Sequence, residues 1–313
     1  MNGVLSYCKP ATLEEALKLM ATGRLTPIAG GTDLLIRTRQ GRALDLLDTG
    51  RLGLDYVRLV VGSRAAAKGK KRPGTQWSTQ RGAQGKTLEI GAACTHTALV
   101  ESRIVRKHLP LLSEAANLIG SAQIRNRGTV GGNVVNASPS ADTIPVLLNY
   151  DAELLLVSKS RRRRVKLDSF IEGPYVTRIE PNELLQSIFC ECLPQGTGFS
   201  FIKLGRRAAV SISRMSVAVL LRINTRGAID TVRVSASSVF PVTKRIAEVE
   251  QILAGKRPSR RLFREAGLLA SDVMVKESGV RWSTPYKEPV LSRLLESALE
   301  QAFSRTAGAR PLA

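Results

Sequence analysis

Two short segments collect the residues of this chain that could hold a polar ligand. The longer runs from Ile119 to Asp142. Gly128, Gly131 and Gly132 let its backbone bend and come close to a bound group. Thr129, Asn133, Asn136, Ser138 and Asp142 add hydroxyl, amide and carboxylate groups at close intervals, and large apolar side chains stop after Val135. Such a stretch suits a ligand held by main-chain N–H groups and short side chains; the competing reading is a long structural turn. The second segment is Ala29-Gly30-Gly31-Thr32-Asp33-Leu34-Leu35-Ile36, which follows a short apolar run, Thr26–Ala29. A strand, a glycine turn and a helix start, in that order, present backbone N–H groups to an anion. Two such turns, roughly a hundred residues apart, would hold a molecule with a pyrophosphate in its middle.

Other chemistries lack their residues. No GxGxxG is present, so the Rossmann fingerprint is missing. Gly85-Lys86-Thr87 ends like a P-loop, but the spacing needs glycine at 80 and the chain has Gln80. His96 and His108 are the only histidines, and no Ser-His-Asp or Cys-His arrangement stands out. The four cysteines, at 8, 94, 190 and 192, form no CxxC pair. They are expected to be free, mostly buried thiols without a metal. No side chain is assigned a catalytic role; the chain reads as the holder of a cofactor that brings its own chemistry.

The elements that must position these segments follow from periodicity. Leu13–Met20 carries an amphipathic helix with Thr12 and Glu15 as a capping box and Gly23 placed to end it. With Thr26–Ala29, Asp45–Asp48 and Leu54–Val61 as strands, it makes a β-α-β unit through residue 60. Leu88–Ala92 is a strand, Thr97–Glu101 begins a helix and Pro110–Leu118 is another. Thr143–Leu148 is a short helix and Ala152–Val157 a strand. Leu167–Ile171 and Leu184–Cys192 continue as strands, with Arg161–Arg164 as a solvated hairpin tip. Gly198–Lys203 alternates, placing Phe199, Phe201 and Lys203 on one face. Val217–Ile223 and Val232–Ala236 pair through Asn224–Gly227, and Ile246–Leu253, Leu262–Ala270 and Pro289–Phe303 are helices. The expected division is 1–60, 61–178 and 179–313.

Length and composition set the frame. The 313 residues, 43% hydrophobic but only 4% aromatic, allow several domains with aliphatic cores. No apolar run approaches the ~18 residues that cross a membrane, and no secretory leader pattern opens the chain, so the expected compartment is cytoplasmic. Asn136-Ala137-Ser138 therefore reads as a chance glycosylation sequon. The net charge of +21 raises a nucleic-acid reading. Its distribution weakens that reading: 62–86 holds seven Lys/Arg and no acid, Lys159–Lys166 holds six more, and the rest of the chain keeps +8. The segment 62–86 has no hydrophobic period and reads as a flexible basic insertion between two strands.

The motif residues Ala29–Leu35 and Ile124–Asp142 closely resemble those of the FAD-binding medium subunit of the molybdenum hydroxylases, the xanthine dehydrogenase and carbon monoxide dehydrogenase group. The resemblance continues through Glu183–Ile188, Phe199–Arg207 and Ser237–Gly255. It implies an α+β fold: a two-subdomain FAD-binding fold followed by a C-terminal domain of a small antiparallel sheet and helices. It implies that Ala29, Gly30, Gly31, Thr32, Asp33, Leu34, Leu35 and Ile36 hold the pyrophosphate of FAD. Thr129, Gly132 and Asn133 would approach the phosphates and nearby groups from the other side. Asp142 would take a hydrogen bond from the ribityl or ribose portion, Leu185 would pack on the isoalloxazine ring, and Lys203 would approach the flavin's polar edge. The implied partners are a molybdenum-cofactor large subunit and a [2Fe–2S] small subunit, with NAD or a quinone as electron acceptor and no nucleic acid or membrane span.

Some relatives carry a cysteine-bearing insertion for an extra iron–sulfur cluster. The run Asn133–Asp151 has neither insertion nor cysteine, so that cluster is not expected here. Two alternatives differ in class: a stand-alone flavin oxidoreductase, and a basic nucleic-acid-binding protein, which would show salt-sensitive oligonucleotide binding without flavin.

Overall fold

The computed structural model describes residues 4–39, 43–61, 86–207, 210–307 and 312. Most of the basic segment read at 62–86 therefore lies outside the described residues. The described chain builds three units in sequence, each a sheet with helices against it.

The first unit has three parallel strands, β1 (Val4–Cys8), β2 (Thr26–Ile28) and β3 (Leu44–Asp48), in the order β1-β3-β2. Helix α1 (Leu13–Met20) crosses between β1 and β2, and α2 (Leu34–Arg39) between β2 and β3. Thr12 caps α1 by accepting the Glu15 N–H, while the Glu15 carboxylate reaches back to the Ala11 N–H. Ala16, Leu17 and Met20 bury its apolar stripe.

The second unit is a five-stranded antiparallel sheet: β4 (Val57–Val61), β5 (Lys86–Gly91), β6 (Glu153–Val157), β7 (Arg162–Lys166) and β10 (Leu184–Glu191), in the order β4-β5-β10-β6-β7. Short helices lie between β5 and β6: α3 (His96–Glu101), α4 (Arg103–His108), α5 (Pro110–Asn117), α6 (Ala122–Arg127), α7 (Val130–Asn136) and α8 (Thr143–Asn149). Helix α9 (Leu167–Phe170) and the small pair β8 (Ile171–Gly173) and β9 (Val176–Thr177) follow β7.

Several sequence expectations are corrected here. The strand expected to close the first unit pairs instead with β5, because Val57 to Val61 lie antiparallel to Ile90 to Lys86. Strand β10, expected in the third unit, sits at the centre of the second sheet between β5 and β6. Boundaries at 60 and 179 would therefore cut through or strip this sheet. Leu167–Phe170 is helical rather than extended, with Leu167 and Phe170 both buried at helical spacing. The solvated tip lies at Ser158–Arg161; Arg162–Arg164 belong to edge strand β7, where Arg163 forms a bidentate pair with Glu183 at 2.6 and 2.7 Å. The segment 119–136, legible as glycine bends, winds into α6 and α7.

The third unit is a four-stranded antiparallel sheet in the order β11 (Gly198–Gly205), β12 (Ser213–Ile223), β13 (Ile229–Ser237) and β14 (Lys244–Arg245). It is covered on one face by α10 (Ala247–Leu253), α11 (Arg260–Ser278) and α12 (Thr284–Ser304). That face is aliphatic: Met215, Val217, Val219 and Leu221 on β12, Val232, Val234 and Ala236 on β13. The opposite face turns Phe201, Ala218 and Leu220 toward the second unit's core. Period-two alternation thus assigns the two faces of one sheet to two different cores.

Helix α8 is the wedge between the units, and all seven of its residues are buried. Its C-terminal Asn149 donates to the Ala218 carbonyl at 2.9 Å, and its own carbonyl accepts from Arg233. Arg233, only 1% exposed, also pairs with Asp151 at 2.6 Å, and Arg245 holds the other Asp151 oxygen at 2.9 Å. No described helix is long and apolar enough to cross a membrane.

Replacing Arg233 with Met would strip this junction of its central cation. The expected loss is about 2–3 kcal/mol, below the full scale for a buried pair because Asp151 stays partly in water. Urea unfolding followed by far-UV circular dichroism would measure it.

Candidate cofactor site

The glycine loop after β2 turns tightly. Gly31 has φ of 71°, a conformation open to glycine, and the Leu35 N–H closes onto the Gly31 carbonyl at 3.1 Å. Gly30 does something different. A Cβ there would lie 1.8 Å from the Arg127 carbonyl oxygen and 2.9 Å from the Gly128 nitrogen. The first loop therefore rests directly on the backbone that joins α6 to α7. The two glycine segments, separated by about a hundred residues of sequence, are in van der Waals contact.

The second segment is pinned to the β5–α3 corner. The Val130 N–H donates to the Cys94 carbonyl, the Gly131 N–H to Ala92 and the His96 N–H to Gly128, all at 2.9–3.0 Å. Gly131 is required by packing, since a Cβ would come 2.5 Å from the Ala92 oxygen. Gly132 is exposed, and a Cβ there would meet nothing closer than its own capping hydroxyl, Thr129 Oγ1, at 3.0 Å. Thr129 caps α7 by accepting the Gly132 N–H at 3.1 Å. Asn133 Oδ1 accepts from Thr143 Oγ1 at 2.6 Å, which leaves its Nδ2 group without a partner among the described residues. Helix α7 ends on Ala137 in the left-handed region, φ 46°.

Asp142 ties this loop to the third unit. Its Oδ2 accepts from Lys203 Nζ at 2.7 Å and its Oδ1 from Ser213 Oγ at 2.5 Å. Lys203 Nζ also donates to the Leu118 carbonyl at 2.8 Å, so it ties down both ends of the segment 118–142. The Lys203 and Asp142 side chains are 10% and 6% exposed. Burial pushes the Asp142 carboxyl above its usual range; the Lys203 charge and the hydroxyl donor oppose that shift.

The predicted residues thus fall into a connected group and an outlier. Gly30 touches the α6–α7 junction, Thr129, Gly132 and Asn133 lie on the next turn, and Thr143 leads on to Asp142 and Lys203. Thr32 is half-buried, and Asp33, Leu35 and Ile36 are exposed at the start of α2. Leu185 makes no polar link to them; it is buried on β10 opposite Leu156, on the strand against which α7 packs. Phe201 packs in the second unit's core and Phe199 carries the Arg305 guanidinium 4.8 Å above its ring.

Ser213 and His96 touch this group, and neither contact was legible in the sequence. No motif marks Ser213 within Ser211-Ile212-Ser213. His96 is buried beside Gly128 with no hydrogen-bond partner for Nδ1. Burial, reinforced by the Arg125 charge, lowers its pKa to about 4, so the imidazole is neutral at pH 7.

A sheet-based α+β chain that brings two glycine loops into contact, with polar groups around them, has the build of a cofactor-binding subunit; no cluster of His, Cys, Asp or Glu that could hold a metal is found among the described residues. Residues 79–190 match the FAD binding domain in molybdopterin dehydrogenase, and residues 200–302 match the CO dehydrogenase flavoprotein C-terminal domain. The chain is 31% identical over 224 residues to the carbon monoxide dehydrogenase medium chain of Hydrogenophaga pseudoflava, covering 72% of this chain and 77% of that one. It is 32% identical over 251 residues to the xanthine dehydrogenase FAD-binding subunit of Escherichia coli O157:H7, covering 79% and 78%. The solved carbon monoxide dehydrogenase of Hydrogenophaga pseudoflava superposes with a TM-score of 0.83 at 27% identity, covering 98% of this chain and 100% of that one. The chain belongs to the FAD-binding medium subunits of the molybdenum hydroxylases, and is an oxidoreductase subunit whose cofactor is FAD.

Two measurements follow from the electrostatics. Lys203→Met should cost the apoprotein about 3 kcal/mol by leaving Asp142 without its countercharge, and adding Asp142→Asn should restore part of that. In the single variant the Asp142 carboxyl rises further, so the folded state holds its proton more tightly than the unfolded state. Stability is then kept at acid pH and lost as pH climbs through the raised pKa; urea midpoints at pH 5 and 8 would show it. His96 has the opposite sign. Its folded pKa of about 4 lies below the unfolded value, so its contribution is present above pH ~6.5 and is lost as pH falls toward ~4, by up to about 3 kcal/mol. The stability gap between wild type and His96→Asn should narrow over that window.

Proposed function

We propose that this chain holds FAD across its two glycine loops. It would receive electrons from a [2Fe–2S] partner subunit and deliver them to an acceptor such as NAD or a quinone. The substrate would be oxidised on a molybdenum-cofactor partner subunit, in a cytoplasmic complex. The observation that carries this reading is the contact of Gly30 with the Arg127 carbonyl, which leaves two loops able to grip one extended diphosphate.

Ala29, Gly30, Gly31, Thr32, Asp33, Leu34, Leu35 and Ile36 would hold the pyrophosphate. Thr129, Gly132 and Asn133 would close on it from the second loop, where the bare Gly132 backbone admits a ligand and the Asn133 Nδ2 group can donate. Asp142 would accept a ribityl or ribose hydroxyl, since each carboxylate oxygen keeps a second lone-pair direction beyond its bond to Lys203 or Ser213. Leu185 would support the isoalloxazine ring. Lys203 would act on the flavin's edge as half of an ion pair, which makes its field weaker than that of a lone ammonium. FAD, when bound, supplies the redox chemistry.

Gly132→Val tests the grip. The added Cβ would press only on the Thr129 hydroxyl, 3.0 Å away on a side chain that can turn aside, so the melting temperature should stay within a few degrees of wild type. FAD affinity, titrated into deflavinated protein, should fall more than tenfold. Full flavin occupancy in this variant would sink the assignment.

A further inference from the structure

We propose that the third unit sets the geometry of the cofactor site from beneath, with Ser213 and Ser237 as positioning residues. The inference rests on the flavin reading above.

The turn between α7 and α8, residues 137–142, has little backbone bonding of its own. It leaves α7 through Ala137 in a left-handed conformation that a residue with a Cβ adopts only when its surroundings hold it there. The third unit provides much of that hold. The Pro139 carbonyl accepts from Ser237 Oγ at 2.6 Å and from the Ser238 N–H at 2.9 Å. Asp142 accepts from Ser213 and Lys203. Ser213, Ser235 and Ser237 are all buried, at strand positions where the other face of the same sheet carries Val, Met and Leu. A buried hydroxyl is unfavourable unless it finds a partner, and these three find acceptors on the chain between Pro139 and Pro145.

With both oxygens held, the Asp142 carboxylate cannot rotate, and its remaining lone pairs point in fixed directions. With Pro139 held, the turn that delivers Asp142 cannot slide along the sheet. A ligand hydroxyl then meets an acceptor already in place, and the ordering cost of binding falls. Ser235 provides the internal contrast, because it donates to Pro145 inside α8, at 2.7 Å and beyond the turn.

Ser213→Ala and Ser237→Ala, each in the full chain, should weaken FAD binding at least tenfold in a fluorescence titration of deflavinated protein. They should also change the visible circular dichroism of the bound flavin. Ser213→Thr keeps the hydroxyl and should restore wild-type affinity. Ser235→Ala should lower the apoprotein's melting temperature while moving the Kd by less than twofold. Wild-type affinity and spectrum in both Ser213→Ala and Ser237→Ala would overturn the positioning role and leave the flavin reading standing. Equal weakening by Ser235→Ala would overturn it too, since general loosening of the junction would then suffice. A wild-type chain that takes up no FAD would overturn the flavin reading, and this inference with it.

Discussion

A buried ammonium and carboxylate, Lys203 with Asp142, stand where the third unit meets the glycine-rich segment. Two charges out of water are tolerated only when each finds its partner and further hydrogen bonds satisfy what remains. Here the further bonds are the Leu118 carbonyl on Lys203 and the Ser213 hydroxyl on Asp142. Because those partners lie on α5's end, on the turn before α8 and on two strands of another sheet, the pair fixes where four pieces of chain converge. A pair serving stability alone could be replaced by apolar side chains; a carboxylate at the edge of the proposed flavin site would have a reason to stay polar.

The glycines divide by what they permit. Gly30 and Gly131 are needed because another backbone occupies the place of a side chain, the Arg127 carbonyl in one case and Ala92 in the other. Gly31 is needed for its positive φ. Gly132 has neither constraint, and its bare backbone lies on an exposed turn. Close packing explains two of the four and backbone conformation a third; the fourth is the one whose backbone lies open on the surface.

Helix α8 carries the same logic into the interior. Its side chains fill the space between the second unit and the inner face of the third, and its C-terminal Asn149 carbonyl is met by Arg233. The neighbouring Arg233–Asp151–Arg245 chain compensates a cation that would otherwise be costly at 1% exposure. The helix that follows Asp142 is thus held between a filled core and a charged junction.

Local pattern made much of this legible. The amphipathic stripe of α1, the alternation of β11 and the glycine turns are written in adjacent residues, and the two motifs carry the family by themselves. What local pattern lacks is the choice of neighbour. A strand at 57–61 pairs as readily, by composition, with the first sheet as with the second; the antiparallel match to β5 decides it. Leu167–Phe170 supports either period over four residues, and burial of both apolar ends selects the helix. Lys203 reads as a solvated or ligand-facing charge until a carboxylate sixty-one positions earlier is folded against it. The sequence by itself determined the motifs, most helices and strands and the cofactor class, because those depend on side-chain type and short spacing. Tertiary structure alone decided that the two loops touch, that Gly131 serves packing and Gly132 does not, and that Ser213 reaches Asp142, because each of these rests on a contact between residues distant in sequence or on the space around them.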